Sequence, residues 1–221
     1  AAFHCARTLL DSKGRRIMVG LLAERRVIAD NPHGWAGVLS LPRVLDLDAD
    51  GRLLMDPAPE VCSTHEADWE YHGALSARAP LIPADLYEDS LELVMEIDPG
   101  SAGDVGVKLR SSPGGEEETA IRYDTENQNL TVDTRKASLN LDTGRSVNGT
   151  PLALKSGELL RLHVFLDRST VEVFANRRAC VSDRLYPTRD DSLGVEVYAR
   201  GGDATITTLK AWRKKSVFFT S

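Results

Sequence analysis

Hydrophobic and polar residues alternate along residues 159–167, which read LLRLHVFLD. One face of this segment carries Leu160, Leu162, Val164 and Leu166, and the other carries Arg161, His163, Phe165 and Asp167. A period of two is typical of a β-strand with one buried face. The polar triplet at 167–169 predicts a tight turn, and TVEVFA (170–175) predicts an antiparallel return strand. We expect the face that carries Asp167 and Glu172 to meet solvent.

The same kind of pattern recurs through most of the chain. Apolar runs of strand length are RRIMVGLL (15–22), SLELVMEID (90–98), DVGVKLRSS (104–112), TAIRYD (119–124), NLTVDTR (129–135) and CVSDRLYP (180–187). Two further hairpins are predicted, at 43–57 around Gly51 and at 193–212 around Gly201 and Gly202. Residues 56–90 lack clean periodicity and predict mainly an irregular connector. Short strands with regular turns indicate an all-β fold, an antiparallel sandwich of the jelly-roll or concanavalin type.

Composition narrows the classes of partner. The 221 residues carry 33 acidic and 27 basic side chains, a formal net charge of -6. Because phosphate binding needs a basic face, this balance argues against nucleic acid as a partner. No run reaches the ~18 apolar residues of a membrane span, so no membrane partner is expected.

The cysteines, the histidines and the N-terminus do not point to a particular function. Cys5, Cys62 and Cys180 are far apart in sequence and odd in number, so we expect buried free thiols. The five histidines show no metal-ligand spacing, and no glycine-rich nucleotide motif occurs, so neither a metal nor another cofactor is predicted. The first ten residues lack the apolar core of a signal peptide. The compartment stays open between cytoplasm and secretion.

Two carboxylates and three aromatic residues are candidates for chemistry. Asp167 and Glu172 flank one turn, and a retaining glycosidase needs two carboxyl groups ~5 Å apart. Both are expected to be exposed, and nothing in the pattern desolvates either one as an acid catalyst requires. We therefore interpret them as turn residues. Trp35, in a glycine-rich turn, and the pair Trp69 and Tyr71 are candidate carbohydrate contacts, although the pair equally suits covering a core.

The end of the chain carries a specific resemblance. LHVFLDRSTVEVFAN, followed by DRLYPTRDDSLGVEVYARGGDATITTLKAW, resembles the C-terminal end of glycoside hydrolase family 32, the β-fructosidases (invertases, inulinases and levanases). IRYDTENQNLTVDTRKAS (121–138) resembles a strand pair of the same domain. Upstream, RRIMVGLLAERR and GWAGVLSLPRVLDLDADGRLL resemble the last propeller blade and its passage into the sandwich. The resemblance spans residues 3 to 213.

The resemblance implies that catalysis and the sandwich belong to separate domains, and this sequence contains only part of that arrangement. Family members place catalysis in an N-terminal five-bladed β-propeller, with acidic motifs of the forms W-M-N-D-P-N-G, R-D-P and E-C. None of these motifs is present here. The Gly-Trp pair that follows a strand in relatives is replaced by Gly20 and Leu21. The resemblance implies a propeller remnant and linker hairpin at 1–55, a connector at 56–90 and the sandwich body at 91–215.

The expected role is therefore non-catalytic: structural, cleft-shaping or oligomerising. One alternative is a fructan-binding module in which Trp69, Tyr71 or Tyr198 stacks on sugar. Another is that the chain is a truncated part of a full β-fructofuranosidase whose catalytic propeller is missing from it. Possible partners are a fructan or sucrose-type carbohydrate, the missing propeller or a second copy. We expect the remnant's apolar edges to drive oligomerisation through residues 1–60 or to refold differently.

Overall fold

Three antiparallel sheets contain the strands of the chain. The computed structural model describes residues 3–26, 34–76, 80–83 and 86–214, with the backbone alone at 63–68. The N-terminal sheet contains β1 Phe3–Leu10, β2 Arg16–Leu22, β3 Val38–Leu39, β4 Arg43–Leu47 and β5 Leu53–Pro57. Its order is β1-β2-β4-β5, with β3 paired to β2. All of these pairings are antiparallel.

Two sheets pack face to face as a sandwich. The larger sandwich sheet contains β6 His65–Leu75, β7 Ser90–Asp98, β12 Leu160–Asp167, β13 Thr170–Ala175, β14 Ala179–Arg184 and β16 Ala204–Lys214. The smaller sandwich sheet contains β8 Asp104–Ser111, β9 Glu118–Asp124, β10 Asn129–Lys136, β11 Val147–Pro151 and β15 Gly194–Arg200. The strand orders are β14-β13-β12-β7-β16-β6 and β11-β10-β9-β8-β15. The predicted all-β antiparallel sandwich is confirmed.

The core lies between the two sandwich sheets and follows from the alternation in the sequence. The inward residues of β7 and β12 are fully or almost fully buried: Leu91, Leu93, Met95, Ile97, Leu160, Leu162, Val164 and Leu166. Facing them from β8 and β9 are Val105, Val107, Leu109 and Ile121. Aliphatic side chains fill this core because the sequence supplies few aromatics. The described residues include no helix that is long and apolar enough to cross a membrane.

The prediction that residues 56–90 form mainly an irregular connector is wrong for part of this range. A short 3-10 helix, Pro59–Thr64, leads into the eleven-residue strand β6, which pairs with β16 at the edge of the larger sheet. Residues 66–72 (EADWEYH) alternate polar with apolar or aromatic side chains, so the period-two signal of this strand was present in the sequence and was missed. Its pairing depends on β16, far along the chain, as in Trp69 opposite Ala211.

The predicted hairpin at 193–212 is also wrong. β15 pairs with β8 in the smaller sheet, whereas β16 pairs with β6 and β7 in the larger one. The glycines at 201 and 202 therefore carry the chain across from one sheet to the other. A Cβ at Gly202 would lie 2.2 Å from the backbone oxygen of Ser101, so the crossing requires glycine there. A turn signal between two strands does not by itself say that the strands pair.

Candidate functional site

The hairpin of Asp167 and Glu172 forms as predicted, but its outer face is not exposed throughout. In the β12–β13 pair, Asp167 lies opposite Thr170 and Phe165 lies opposite Glu172. Asp167 is exposed, whereas Glu172 is only 3% exposed. The prediction of solvent exposure is therefore wrong for Glu172. The physical reason is that the N-terminal sheet packs against this face of β13 and β14.

Glu172 is held by groups of the N-terminal sheet. One carboxylate oxygen accepts hydrogen bonds from Nη2 of Arg43, at 2.8 Å, and from the Ser182 hydroxyl, at 3.0 Å. The other accepts from the backbone N–H of Leu41 at 2.6 Å. Arg43 is 4% exposed, so this is a buried ion pair whose partners are both hydrogen-bonded. A carboxylate engaged in this way is not available as a general acid or base.

Two further ion pairs cross the same boundary. Asp183 on β14 is fully buried and accepts from Nη1 of Arg25 at 2.7 Å and from Nδ2 of Asn148 at 2.6 Å. Arg184, also fully buried, lies 3.7 Å from Glu24 and donates to the backbone oxygen of Leu22. We call these three pairs the charged seam: Glu24, Arg25 and Arg43 on the N-terminal side, and Glu172, Asp183 and Arg184 on the sandwich side.

The carboxyl group of Glu24 has a pKa lowered by its surroundings. Burial raises the pKa of its carboxyl group, but hydrogen bonds from Arg26 and Tyr186 and the charge of Arg184 outweigh burial and hold it well below its ordinary value. Burial also raises the pKa of Tyr186 to about 12. Glu24 is therefore ionised and Tyr186 neutral across the physiological range. Glu24 thus contributes a fixed negative charge to the charged seam.

An open cleft of about 260 Å³ lies beside the charged seam. Its lining includes Phe3 and Arg43 of the N-terminal sheet, Asn148 of β11, and Cys180 and Ser182 of β14. The guanidinium group of Arg43 lies 4.2 Å from the centre of the Phe3 ring. This stacking accounts for the buried Nε of Arg43, which has no hydrogen-bond partner among the described residues.

The three aromatic candidates do not form one site. Trp69 and Tyr71 share a face of β6, with ring centres 6.2 Å apart and planes 5° from parallel, and both pack against the edge of the core. Trp35 is 45% exposed and lies 5.8 Å from the guanidinium group of Arg184 on β14. Since β6 and β14 are opposite edges of a six-stranded sheet, the two places are roughly 24 Å apart. Whether either contacts sugar stays a prediction.

Other sequence expectations are corrected or extended by the structure. Tyr198 is only 3% exposed, so its ring cannot offer a stacking surface. The three cysteines are free, as expected, but Cys5 is exposed and Cys62 and Cys180 are only partly buried, so the prediction that they are buried is wrong. The sequence pattern did not predict a further cluster, in which donor atoms of Cys62, Glu92 and His163 lie within 4.8 Å of one another. These residues belong to the 3-10 helix, β7 and β12, so only the sheet register brings them together.

The fold and the charged seam define a class: a five-stranded antiparallel sheet joined through buried ion pairs to a β-sandwich. Residues 64–213 match the family model described as the C-terminal region of glycosyl hydrolases family 32. The chain belongs to this family, and it carries the family's C-terminal β-sandwich region.

Individual relatives agree with this assignment. The chain is 30% identical to a sucrose-6-phosphate hydrolase of Zymomonas mobilis over 95% of its own length and 41% of the relative's. It is 29% identical to a levanase of Bacillus subtilis over 94% of its length and 32% of the relative's. The chain thus spans less than half of the curated relatives it matches.

Solved structures share the fold at low sequence identity. Fructan 1-exohydrolase IIa from Cichorium intybus superposes with a TM-score of 0.89 at 19% identity, covering 98% of this chain and 48% of the other. Exo-inulinase from Aspergillus awamori superposes with a TM-score of 0.83 at 20% identity, covering 98% of this chain and 44% of the other. Both superpositions include the N-terminal sheet as well as the sandwich.

Proposed function

We propose that this chain provides the non-catalytic sandwich region of a fructoside-hydrolysing enzyme of family 32. In this role, the charged seam fixes the sandwich against a propeller-type sheet and thereby shapes the cleft between them. The proposed division is a propeller remnant at 1–55, a connector at 56–90 and a sandwich body at 91–215. The names of the relatives, all enzymes that act on sucrose-type or fructan substrates, supply the substrate class for the proposal.

The state of Glu172 is the observation that supports a non-catalytic role most directly. Hydrolysis by two carboxyl groups requires an acid that gives up a proton and a partner that attacks or activates water. Asp167 faces solvent, and both oxygens of Glu172 accept hydrogen bonds within a buried ion pair. The pair therefore meets neither requirement.

An activity assay with the 221-residue chain tests the proposal. Purified chain, incubated with sucrose, inulin and levan oligosaccharides, is expected to release fructose no faster than a buffer control. Asp167→Asn is the matched variant, because this exposed residue can be changed without disturbing the charged seam. Fructose release at an enzymatic rate that Asp167→Asn or Glu172→Gln abolishes would overturn the proposal.

A second candidate function, fructan binding, is favoured by the parallel rings of Trp69 and Tyr71. Two parallel aromatic rings on one strand offer apolar surface with polar handles, which suits contact with the apolar faces of sugars. Calorimetric titration with inulin and levan oligosaccharides separates the two functions. A binding module gives heat that Trp69→Ala together with Tyr71→Ala removes. No heat at millimolar ligand eliminates this candidate.

A third candidate is that the chain is one part of a complete β-fructofuranosidase. Reading the DNA upstream for an in-frame W-M-N-D-P-N-G motif tests it at little cost. Finding the motif supports this candidate and assigns the sandwich role to the C-terminal part of that enzyme. An upstream region with no such reading frame contradicts it.

A further inference from the structure

Cys62, Glu92 and His163 form a compact group of metal-ligand side chains on the outer face of the larger sheet. Nε2 of His163 lies 2.7 Å from Oε1 of Glu92. The sulfur of Cys62 completes the group, and all three donor atoms lie within 4.8 Å of one another. Glu92 is 1% exposed, whereas His163 and Cys62 are partly exposed. The group is thus buried at its base and reachable from solvent.

The register of the sheet explains how these residues meet. On β7, Leu91 and Leu93 point into the core, so Glu92 points to the outer face. On β12, the outer face carries His163 and Phe165, and Phe165 lies opposite Glu92. His163 and Glu92 are therefore diagonal neighbours on adjacent strands. The 3-10 helix Pro59–Thr64 lays Cys62 over this pair.

Lys214 organises the carboxylate of Glu92 for a metal rather than blocking it. Its ammonium group lies 3.0 Å from Oε2 and also donates to the backbone oxygen of Val61. One oxygen of Glu92 is thus neutralised, while Oε1 faces His163. The oxygen used for a metal is then fixed in place, in the way that outer partners orient metal ligands generally.

We propose that Cys62, Glu92 and His163 bind a zinc ion, with water as the fourth ligand, and that this ion fastens the linker between the N-terminal sheet and the sandwich to the sandwich sheet. A thiolate, an imidazole and a carboxylate are the three ligand types that Zn²⁺ takes in proteins. With bond lengths of about 2.0–2.3 Å, tetrahedral ligand atoms lie roughly 3.3–3.8 Å apart. The observed group reaches that spacing with movements on the order of 1 Å.

The charge and proton balance of binding is simple. A cysteine thiol that is not bound to a metal is ordinarily protonated at neutral pH. When the sulfur–zinc bond forms, the S–H bond breaks and the proton passes to the buffer. Zinc and Lys214 then face two anions, the thiolate and the carboxylate, so no negative charge is left unpaired.

Cobalt(II) and zinc(II) titrations of the reduced 221-residue chain test the site. Cobalt is expected to bind in a one-to-one ratio and to give the near-ultraviolet charge-transfer absorption of a thiolate–cobalt bond. Zinc is expected to displace it. At ~100-fold excess over its Kd, zinc should raise Tm by about 5–10 °C.

Variants make this test specific. Cys62→Ser should abolish the charge-transfer absorption, and His163→Gln should weaken zinc binding by at least about 100-fold. The matched controls are Cys180→Ser and His72→Gln, which should leave both readouts unchanged. His72 is a suitable control because it lies 3.0 Å from Glu70, which itself pairs with Lys210, the same His–Glu–Lys arrangement on the same sheet.

The outcomes separate a built site from incidental binding. Absence of the charge-transfer absorption in the wild-type chain overturns the proposal. So does zinc binding that Cys62→Ser leaves at full affinity, or that His72→Gln removes. Circular dichroism of each metal-free variant confirms that it is folded, and His163→Gln keeps the test decisive if Cys62→Ser does not fold.

Discussion

At the scale of single residues, Glu117 shows how this fold stabilises a buried charge through neutral hydrogen-bond donors. Its side chain is fully buried after the turn between β8 and β9. The carboxylate accepts hydrogen bonds from the backbone N–H groups of Leu139 and Thr188 and from the hydroxyl groups of Thr188 and Ser192. Burial raises the pKa of Glu117, but these bonds outweigh it and lower the pKa to about 2. One carboxylate therefore connects three loops.

We predict that Glu117→Gln lowers the free energy of unfolding by about 2–3 kcal/mol at neutral pH. The amide nitrogen of glutamine is a donor, so it would face the N–H and O–H donors from which the carboxylate accepts. The pKa of Glu117 is depressed, so its contribution is present above pH 4.5, the ordinary value, and is lost as the pH falls towards about 2. Urea unfolding at neutral and acidic pH measures both effects. The exposed Glu126→Gln is the control and should change little. Equal stability of Glu117→Gln and wild type at neutral pH contradicts the prediction.

At the scale of strands, the charged seam shows which part of the fold the sequence can predict. Period-two alternation places β12 and β13 and their core face, because that face is decided by residues close in sequence. The burial of Glu172 could not be predicted in the same way, since its partner Arg43 is 129 positions away. Phe165 and Phe174 offered a signal: two aromatic residues on a face expected to meet water indicate that something covers it. The cluster of Cys62, Glu92 and His163 could not be predicted for the same reason, because its members lie in three separate elements.

We predict that Glu172→Leu alone destabilises the protein by about 3–5 kcal/mol, because it leaves the guanidinium group of Arg43 buried without its carboxylate. The double variant Arg43→Met with Glu172→Leu should recover much of this loss, since it buries no charge. Urea unfolding of both single variants and the double variant gives the coupling energy, expected at about 3 kcal/mol or more because each single variant leaves one charge buried without its partner. Asp133→Asn, which breaks the exposed pair with Arg135, should cost under ~1 kcal/mol. If the free-energy effects of the two single substitutions simply add in the double variant, the prediction is contradicted.

At the scale of the whole molecule, the two parts of the chain differ in how well they bury apolar surface. The sandwich encloses a core of leucines, valines and isoleucines between two sheets. The N-terminal sheet instead exposes large apolar side chains by about one third to three quarters: Leu9, Leu10, Leu21, Leu39, Leu47 and Leu53. Within the described residues, no strand pairs with the outer edge of β1. An apolar sheet with an open edge is a surface suited to association.

We therefore predict that the 221-residue chain self-associates through residues 1–60 when no other sheet covers them. Sedimentation velocity over a wide concentration range should show a mass that rises with concentration. Leu9→Glu combined with Leu39→Glu should shift the chain towards monomer, because a carboxylate on the contact surface must be desolvated for association. Leu141→Glu is the matched control, since Leu141 is 79% exposed but belongs to a loop of the sandwich. A monomeric mass at every concentration, with the N-terminal sheet still folded, would show that this sheet needs no partner.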